Sequence, residues 1–465
     1  MCEGIAAEFE GIELGDQRLN KRSVMILEAL ASNPEASINA SMENWGDTLA
    51  AYRFFRNENV LPEKILRPHC QATVRRMGDH PVVLIVQDTT EFDFTKHPPE
   101  GVQCLDAEDR FGFYDHTHLA ITPQKLCLGV VGSEQFDRAP QTLGKGRDRK
   151  YLPIEEKESL RWLTGYRLAC QLKQQLDSTE IISVADCEAD IYEIFIEVQQ
   201  QATPADFIIR ARENRCTPQR DPRYPGRVFY KVLDKLAEAP VRIRRTISLP
   251  QTPKRQPRQA ALEIRAATIE LKPPDPRNTL PLVTQQFVLV REVNGPGDDT
   301  EISWLLMTNL PIETEEDILR VVDYYVARWI VEVFFRTLKT GCRVEKIQLE
   351  TLDRVKNCLA FYKIIAWRII YLTYLNRTTP NVSCTAVFDD CEWKSVWMVT
   401  KKKPLPEKPP TLGEFVPLLA SLGGYNNRRS DPPPGPQVLW TATRRMLDFA
   451  IAWLNFGPAA GDVYK

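Results

Sequence analysis

An α/β chain is what this sequence predicts: apolar strands of a buried sheet, a β-rich stretch set into it, and helices at both ends. Three observations predict it. The runs Pro81-Val-Val-Leu-Ile-Val-Gln87 and Ile181-Ile-Ser-Val-Ala185 are short, apolar and β-branched, as strands covered on both faces are. Tyr325 to Lys339 repeats its polar residues at helical spacing. The chain up to about Met77, and again beyond about residue 381, carries helical patterns.

In the N-terminal segment, LGDQRLNKRSVMILEALASNP places Leu19, Val24, Leu27 and Leu30 at near-helical spacing, with Arg18, Lys21 and Arg22 outside the stripe. Cations in a first turn oppose the helix dipole, so stability does not explain them. AYRFFRNENV adds Arg53 and Arg56 to the same kind of surface, while Phe54 and Phe55 read as core.

Each of the two strands closes on an aspartate, Asp88-Thr-Thr and Asp186-Cys-Glu-Ala-Asp190. Residues just past parallel strands collect at one edge of the sheet. An aspartate there is also an ordinary turn former or helix N-cap, the role expected of Asp190 before IYEIFIEV. His116 and His118, in YDHTHLAIT, share one face of the next expected strand without a third ligand in view.

The formal net charge of −2 hides an asymmetry: residues 208–258 hold 14 Lys or Arg against 4 Asp or Glu, an electrostatic footprint for phosphates. VFYKVL and VRIRRTISL make this a β-rich insertion between Asp186 and Glu332, and residues 250–258 read as a disordered basic loop. Arg210 follows the strand FII. Trp304 heads the strand WLLMT, where a large aromatic ordinarily packs as core.

A single helix over Tyr325 to Lys339 puts Tyr325, Arg328, Glu332, Arg336 and Lys339 within an arc of about 80°, at roughly 100° per residue. Ile330, Val331, Phe334, Phe335 and Leu338 take the other side. Alone, this is a solvated face with helical ion pairs. With the strand-end aspartates, it becomes the third carboxylate of a site for divalent metals. Mg²⁺ takes oxygen ligands and is commonly held by one or two carboxylates plus substrate phosphates. Two such ions clamp the attacking and leaving oxygens of an in-line displacement at phosphorus. The cations beside Glu332 then hold DNA phosphates.

A helix from about Leu352 to Leu375 should pack the sheet through Leu359, Ile364, Ile365, Ile369 and Ile370. Pro404 to Pro410 reads as a stiff linker to a small helical domain, whose Trp440, Met446, Phe449 and Trp453 serve its core, a partner surface, or both. No run approaches the roughly 18 to 20 uninterrupted apolar residues of a membrane span. The first residues show no secretion signal, so a cytoplasmic protein is expected. Eleven cysteines without a CxxC pair argue against a zinc ribbon and a disulfide scaffold.

VQDTT, ADCEADIY and Tyr325-x2-Arg328-x3-Glu332-x6-Lys339 resemble the signature of the DDE transposases of the IS-four/Tn-five group. LGDQRLNKR, AYRFFRN, WLLMTNLP and LGGYNNRRSDPPPGP extend the likeness over nearly the whole chain. The resemblance implies an RNase H-like mixed sheet flanked by helices over residues 78–380, with the β-rich insertion at about 208–305. It implies an N-terminal DNA-binding domain over residues 1–77, carrying Arg18, Lys21, Arg22, Arg53 and Arg56, and a dimerisation domain over 381–465.

The activity implied is cut-and-paste transposition of the encoding element. Asp88, Asp186 and Glu332 would be catalytic and hold two Mg²⁺ or Mn²⁺ ions. Trp304 would stack on a base flipped from the duplex while a hairpin forms, with Tyr325 and Arg328 on the adjoining phosphate and Arg210, Arg336 and Lys339 steering others. Partners would be double-stranded transposon ends and target DNA, with a homodimer on the DNA and no membrane. The setting would be the nucleoid of a prokaryote. Two other classes stay open: a catalytically inactive end-binding inhibitor, and a metal-dependent nuclease without strand transfer. The complete signature weighs against the first, and Trp304 against the second.

Overall fold

The structure, a computed structural model, describes residues 4–106, 109–138, 152–222, 228–249, 251, 255–275, 279–298 and 301–457. The described strands are β1 (Val82–Asp93), β2 (Gln103–Cys104), β3 (Phe111–Ile121), β4 (Cys127–Phe136), β5 (Glu180–Ala185), β6 (Asp206–Arg210), β7 (Cys216–Arg220), β8 (Phe229–Lys231), β9 (Val241–Leu249), β10 (Arg258–Leu271), β11 (Val283–Glu292) and β12 (Ser303–Thr308). The described α-helices are α1 (Gln17–Ser32), α2 (Ile38–Ser41), α3 (Trp45–Arg56), α4 (Pro62–Met77), α5 (Leu160–Gln175), α6 (Tyr192–Gln200), α7 (Val232–Glu238), α8 (Glu315–Ala327), α9 (Ile330–Arg336), α10 (Leu352–Thr378), α11 (Asp390–Lys401), α12 (Leu412–Leu422) and α13 (Pro436–Phe456). They fall into two compact units: Met1–Asp79, Thr89–Leu143 and Ile330–Lys465 in one, His80–Asp88 and Gly144–Trp329 in the other.

The first unit begins with the expected helices and no strand. The side chain of Asp16 caps α1 by accepting the Arg18 N–H at 2.8 Å. The buried stripe of α1 is Ser23, Ile26, Leu27 and Leu30; Leu19 and Val24, expected in it, are half-buried. Packing sets this face, because α1 lies against the turn Ile5–Phe9, α3 and α10 together. Phe361 of α10 meets Phe9, Phe54 and Phe55 edge-on, with ring centroids 5.3, 5.8 and 5.7 Å away. By length and hydropathy α10 could cross a membrane, but 78% of its apolar window is buried in the protein, as suits a core helix. Within this unit β3 pairs antiparallel with β2 and β4.

Around Phe388, Trp393, Val396, Phe415 and Leu439, α11, α12 and α13 form a helical cluster. The stretch 404–410, expected to precede this cluster, instead joins α11 to α12 inside it. Trp440 and Met446 are core, Phe449 packs beside it, Trp453 is half-buried, and Ile451, Leu454 and Phe456 are exposed.

In the second unit the strand order is β1-β5-β6-β12-β11-β10-β9. β1, β5 and β6 run parallel, and β12, β11, β10 and β9 continue as an antiparallel meander. The sheet is therefore mixed, and its antiparallel part is the expected β-rich insertion, which also carries α7. Of the expected basic loop, residues 250 and 252–254 lie outside the described residues, and Arg258 at its end opens β10.

One buried network fastens the N-terminal turn to α4. His69 accepts the Val130 N–H on Nε2 at 3.0 Å, so the proton is on Nδ1, which donates to Glu8 Oε2 at 2.5 Å. Burial lowers the pKa of His69, in keeping with a neutral ring. Arg76 donates to Glu8 at 2.8 Å and stacks on Trp367. Burial alone would raise the Glu8 pKa, but His69 and Arg76 outweigh it and hold the carboxyl at about 2, against an ordinary 4.5. That stabilisation is complete above pH 4.5 and is lost as the pH falls toward 2. Glu8→Gln should cost about 1–3 kcal/mol at neutral pH. Thermal melts below pH 4.5 should then fall less steeply for the variant than for the wild type.

Candidate active site

The parallel register of β1 and β5 runs from Val82↔Glu180 to Gln87↔Ala185. Asp186 is the residue just past β5, whereas β1 does not close on Asp88 as expected but runs on to Asp93, so Asp88 sits within β1 where the β5 pairing stops, on a neighbouring strand about 4.8 Å away. The strand interiors, Val83 to Val86 and Ile181, Ile182, Val184 and Ala185, are fully buried and hold this edge rigid. Asp186 accepts the Glu188 N–H at 2.8 Å and caps the short turn Cys187–Ala189. Arg328 Nη1 donates to Asp88 Oδ2 at 2.6 Å, and each side chain is only 12% exposed. Burial works against the guanidinium charge, yet Asp88, Tyr325 and Asp186 together raise its pKa above the ordinary value.

Tyr325 is buried, its ring edge-on to Trp304 at 5.8 Å and within 5.9 Å of the Arg328 guanidinium. Burial raises its hydroxyl pKa even though Arg328 and Arg210 pull it down. Trp304 is half-buried at the start of β12, and Arg210 donates to the neighbouring Ser303 carbonyl at 3.4 Å. The second unit thus gathers six expected site residues, Asp88, Asp186, Arg210, Trp304, Tyr325 and Arg328.

The single helix expected over Tyr325 to Lys339 is three pieces. α8 ends at Ala327, and the Arg328 and Trp329 N–H groups bond back to Tyr325 and Val326, three residues away, tightening the turn. This turn leaves Trp329 65% exposed, a feature the sequence reading missed. α9 follows with Glu332 half-buried and Arg336 exposed. It runs into a π turn, Thr337–Gly341, which carries Lys339 and is closed by Cys342 N–H to Thr337 C=O at 2.8 Å. Lys339 Nζ lies 3.7 Å from Glu345, which also accepts the Asp93 N–H at 3.2 Å. Glu332, Arg336 and Lys339 belong to the first unit. So do Arg18, paired with Asp16, Arg22, paired with Asp47, and the exposed Lys21, Arg53 and Arg56.

Asp190 does not cap the following helix; Ile191 holds that position. Its buried carboxylate accepts the N–H groups of Arg212 and Glu213 at 2.9 and 3.0 Å and pairs with Arg215 through Nε at 2.8 Å and through Nη2. This staple folds the loop after β6, which bears Arg212 beside Arg210. The Asp186-x3-Asp190 spacing was its only sequence signal. His116 and His118 are buried, His116 bonds Thr89, and burial pushes His118 down to about 4. Among the described residues, no three His, Cys, Asp or Glu side chains are gathered to hold a metal ion. Among the described residues, Asp88 and Asp186 on neighbouring strands are oxygen donors of the kind a hard divalent cation accepts along with waters and phosphate.

Residues 1–60 match the family model "Transposase DNA-binding", 165–368 match "Transposase DDE domain", and 364–452 match "Transposase Tn5 dimerisation domain". The DDE match takes in Asp186 and Glu332 and begins after Asp88. The chain belongs to the DDE transposases of the Tn5 type. That family normally uses divalent metal ions. Among solved structures it resembles a piggyBac transposase synaptic complex with hairpin DNA, at 10% identity and a TM-score of 0.34, covering 78% of this chain and 66% of that one.

Asp190→Ala should strip a buried guanidinium of its partner and cost about 3–5 kcal/mol, read as a lowered melting temperature.

Proposed function

We propose that this chain binds the terminal inverted repeats of its own element and moves that element by cut-and-paste transposition. The observation that carries this reading is the placement of Asp88 and Asp186 on neighbouring strands, each one residue past the last β1–β5 pair, beside Arg328, Tyr325 and Trp304. Asp88, Asp186 and Glu332 are the residues that would hold two Mg²⁺ or Mn²⁺ ions. When bound, these supply an activated oxygen nucleophile and neutralise charge on the transferring phosphate. Each chemical step exchanges one P–O bond for another. Water cuts at the 3′ end of the element, and the freed 3′-OH attacks the opposite strand to give a hairpin. A second water opens the hairpin, and the 3′-OH joins target DNA.

Arg328, now balancing Asp88, is placed to pair with a phosphate, as are Arg210 at the end of β6 and Arg212 on the stapled loop. The half-buried face of Trp304 offers a stacking surface for an unstacked base, braced by Tyr325. Residues 1–77, through Arg18, Lys21, Arg22, Arg53 and Arg56, would read the repeat, and residues 381–465 would pair two copies on the DNA.

Purified protein with Mg²⁺ and labelled DNA bearing its candidate repeat should give a nick that converts to a hairpin on a denaturing gel. Asp88→Ala, Asp186→Ala and Glu332→Ala should each lower cleavage by at least about 10³-fold, since removing one key electrostatic group costs on that order. Full activity in any one of them would sink the triad assignment.

A further inference from the structure

The π turn that carries Lys339 rests directly on the C-terminal helix. A Cβ added at Gly341 would stand 2.8 Å from Trp440 Cε3 and 2.9 Å from Cζ3. Unstrained carbon contacts sit at about 3.5–4.0 Å, so only glycine allows this approach. Trp440 is 7% exposed, held in α13 between buried Leu439 and Ala442. On its other side the turn is tied to α9 by Thr337 Oγ1 donating to the Val333 carbonyl at 2.8 Å. Lys339 therefore leaves a segment with two fixed ends, and its ammonium is aimed further by Glu345 and by Phe92, whose ring centre is 5.7 Å away. A π turn has a different rotation per residue from an α-helix, so where Lys339 points relative to Glu332 depends on keeping this turn in place.

We propose that Trp440 and Gly341 are positioning residues for Lys339. Through their contact, the segment matched as a dimerisation domain sets the signature lysine that the functional reading assigns to a DNA phosphate. The proposal rests on that reading for the role of Lys339, whereas the steric contact stands on geometry alone. Glycine to alanine in a helical segment ordinarily stabilises it, so a loss of function in Gly341→Ala would come from the displaced turn and not from helix propensity.

The test measures binding of labelled repeat DNA across a salt series, together with cleavage at saturating DNA and thermal melting. Lys339→Ala should lower the slope of log affinity against log salt by about one, the signature of one lost phosphate contact. Gly341→Ala should reproduce that smaller slope and reduce cleavage at saturating DNA about tenfold or more, with a melting temperature close to wild type. In Gly341→Ala/Trp440→Phe, where the ring edge facing residue 341 is trimmed, both should return toward wild type. A wild-type slope in Gly341→Ala, or a loss that Trp440→Phe does not relieve, overturns the proposal. Failure of the wild-type protein to cut its repeat would instead overturn the functional reading.

Discussion

The site hangs on the parallel pairing of β1 with β5. One hydrogen-bonded register carries Gln87 opposite Ala185 and so delivers Asp88, within β1, and Asp186, just past β5, to neighbouring positions. Because the residues behind them are fully buried, the pair cannot drift apart without opening the core. A slip of one residue would turn every side chain to the opposite face, so the same hydrophobic pattern that builds the strand also aims its last carboxylate. Everything else in the second unit is placed around that edge.

Carboxylates on neighbouring strands repel each other, and the chain offsets this with Arg328, just past the end of α8, which donates to Asp88. Arg328 and Tyr325 are buried for their charge and ring contacts, and the tight turn that follows leaves Trp329 facing solvent. Asp190 applies the same logic one turn later, spending a fully paired carboxylate on the shape of a cation-bearing loop. The second unit thus surrounds its acidic edge with fixed positive charge, the arrangement a polyanionic substrate needs when it approaches metal-binding carboxylates. In the first unit, the π turn and Trp440 show that the C-terminal helices serve more than their own core.

Much of this was legible in the residues. The apolar strands, the helical N-terminal segment, the β-rich insertion and the burial of Phe54 and Phe55 all follow from local pattern, because burial repeats with the period of the element. Asp186 just past its strand was legible for the same reason, whereas the strand holding Asp88 runs on to Asp93. What misled was extending a helical period through Tyr325 to Lys339: spacing by three and four is satisfied equally well by one helix and by three short pieces. Asp190 looked like a cap because a cap is the commonest use of an aspartate before a helix. Its real partners lie 22 to 25 residues onward, beyond any local pattern.

By itself, the sequence determined the kinds of element and the family signature, since these depend on side-chain chemistry within a few residues. Only the tertiary structure decided that Arg328 answers Asp88, that Trp304 braces Tyr325, and that Trp440 presses on Gly341. Those contacts join residues far apart in the chain, and their geometry is chosen by packing that no local period records.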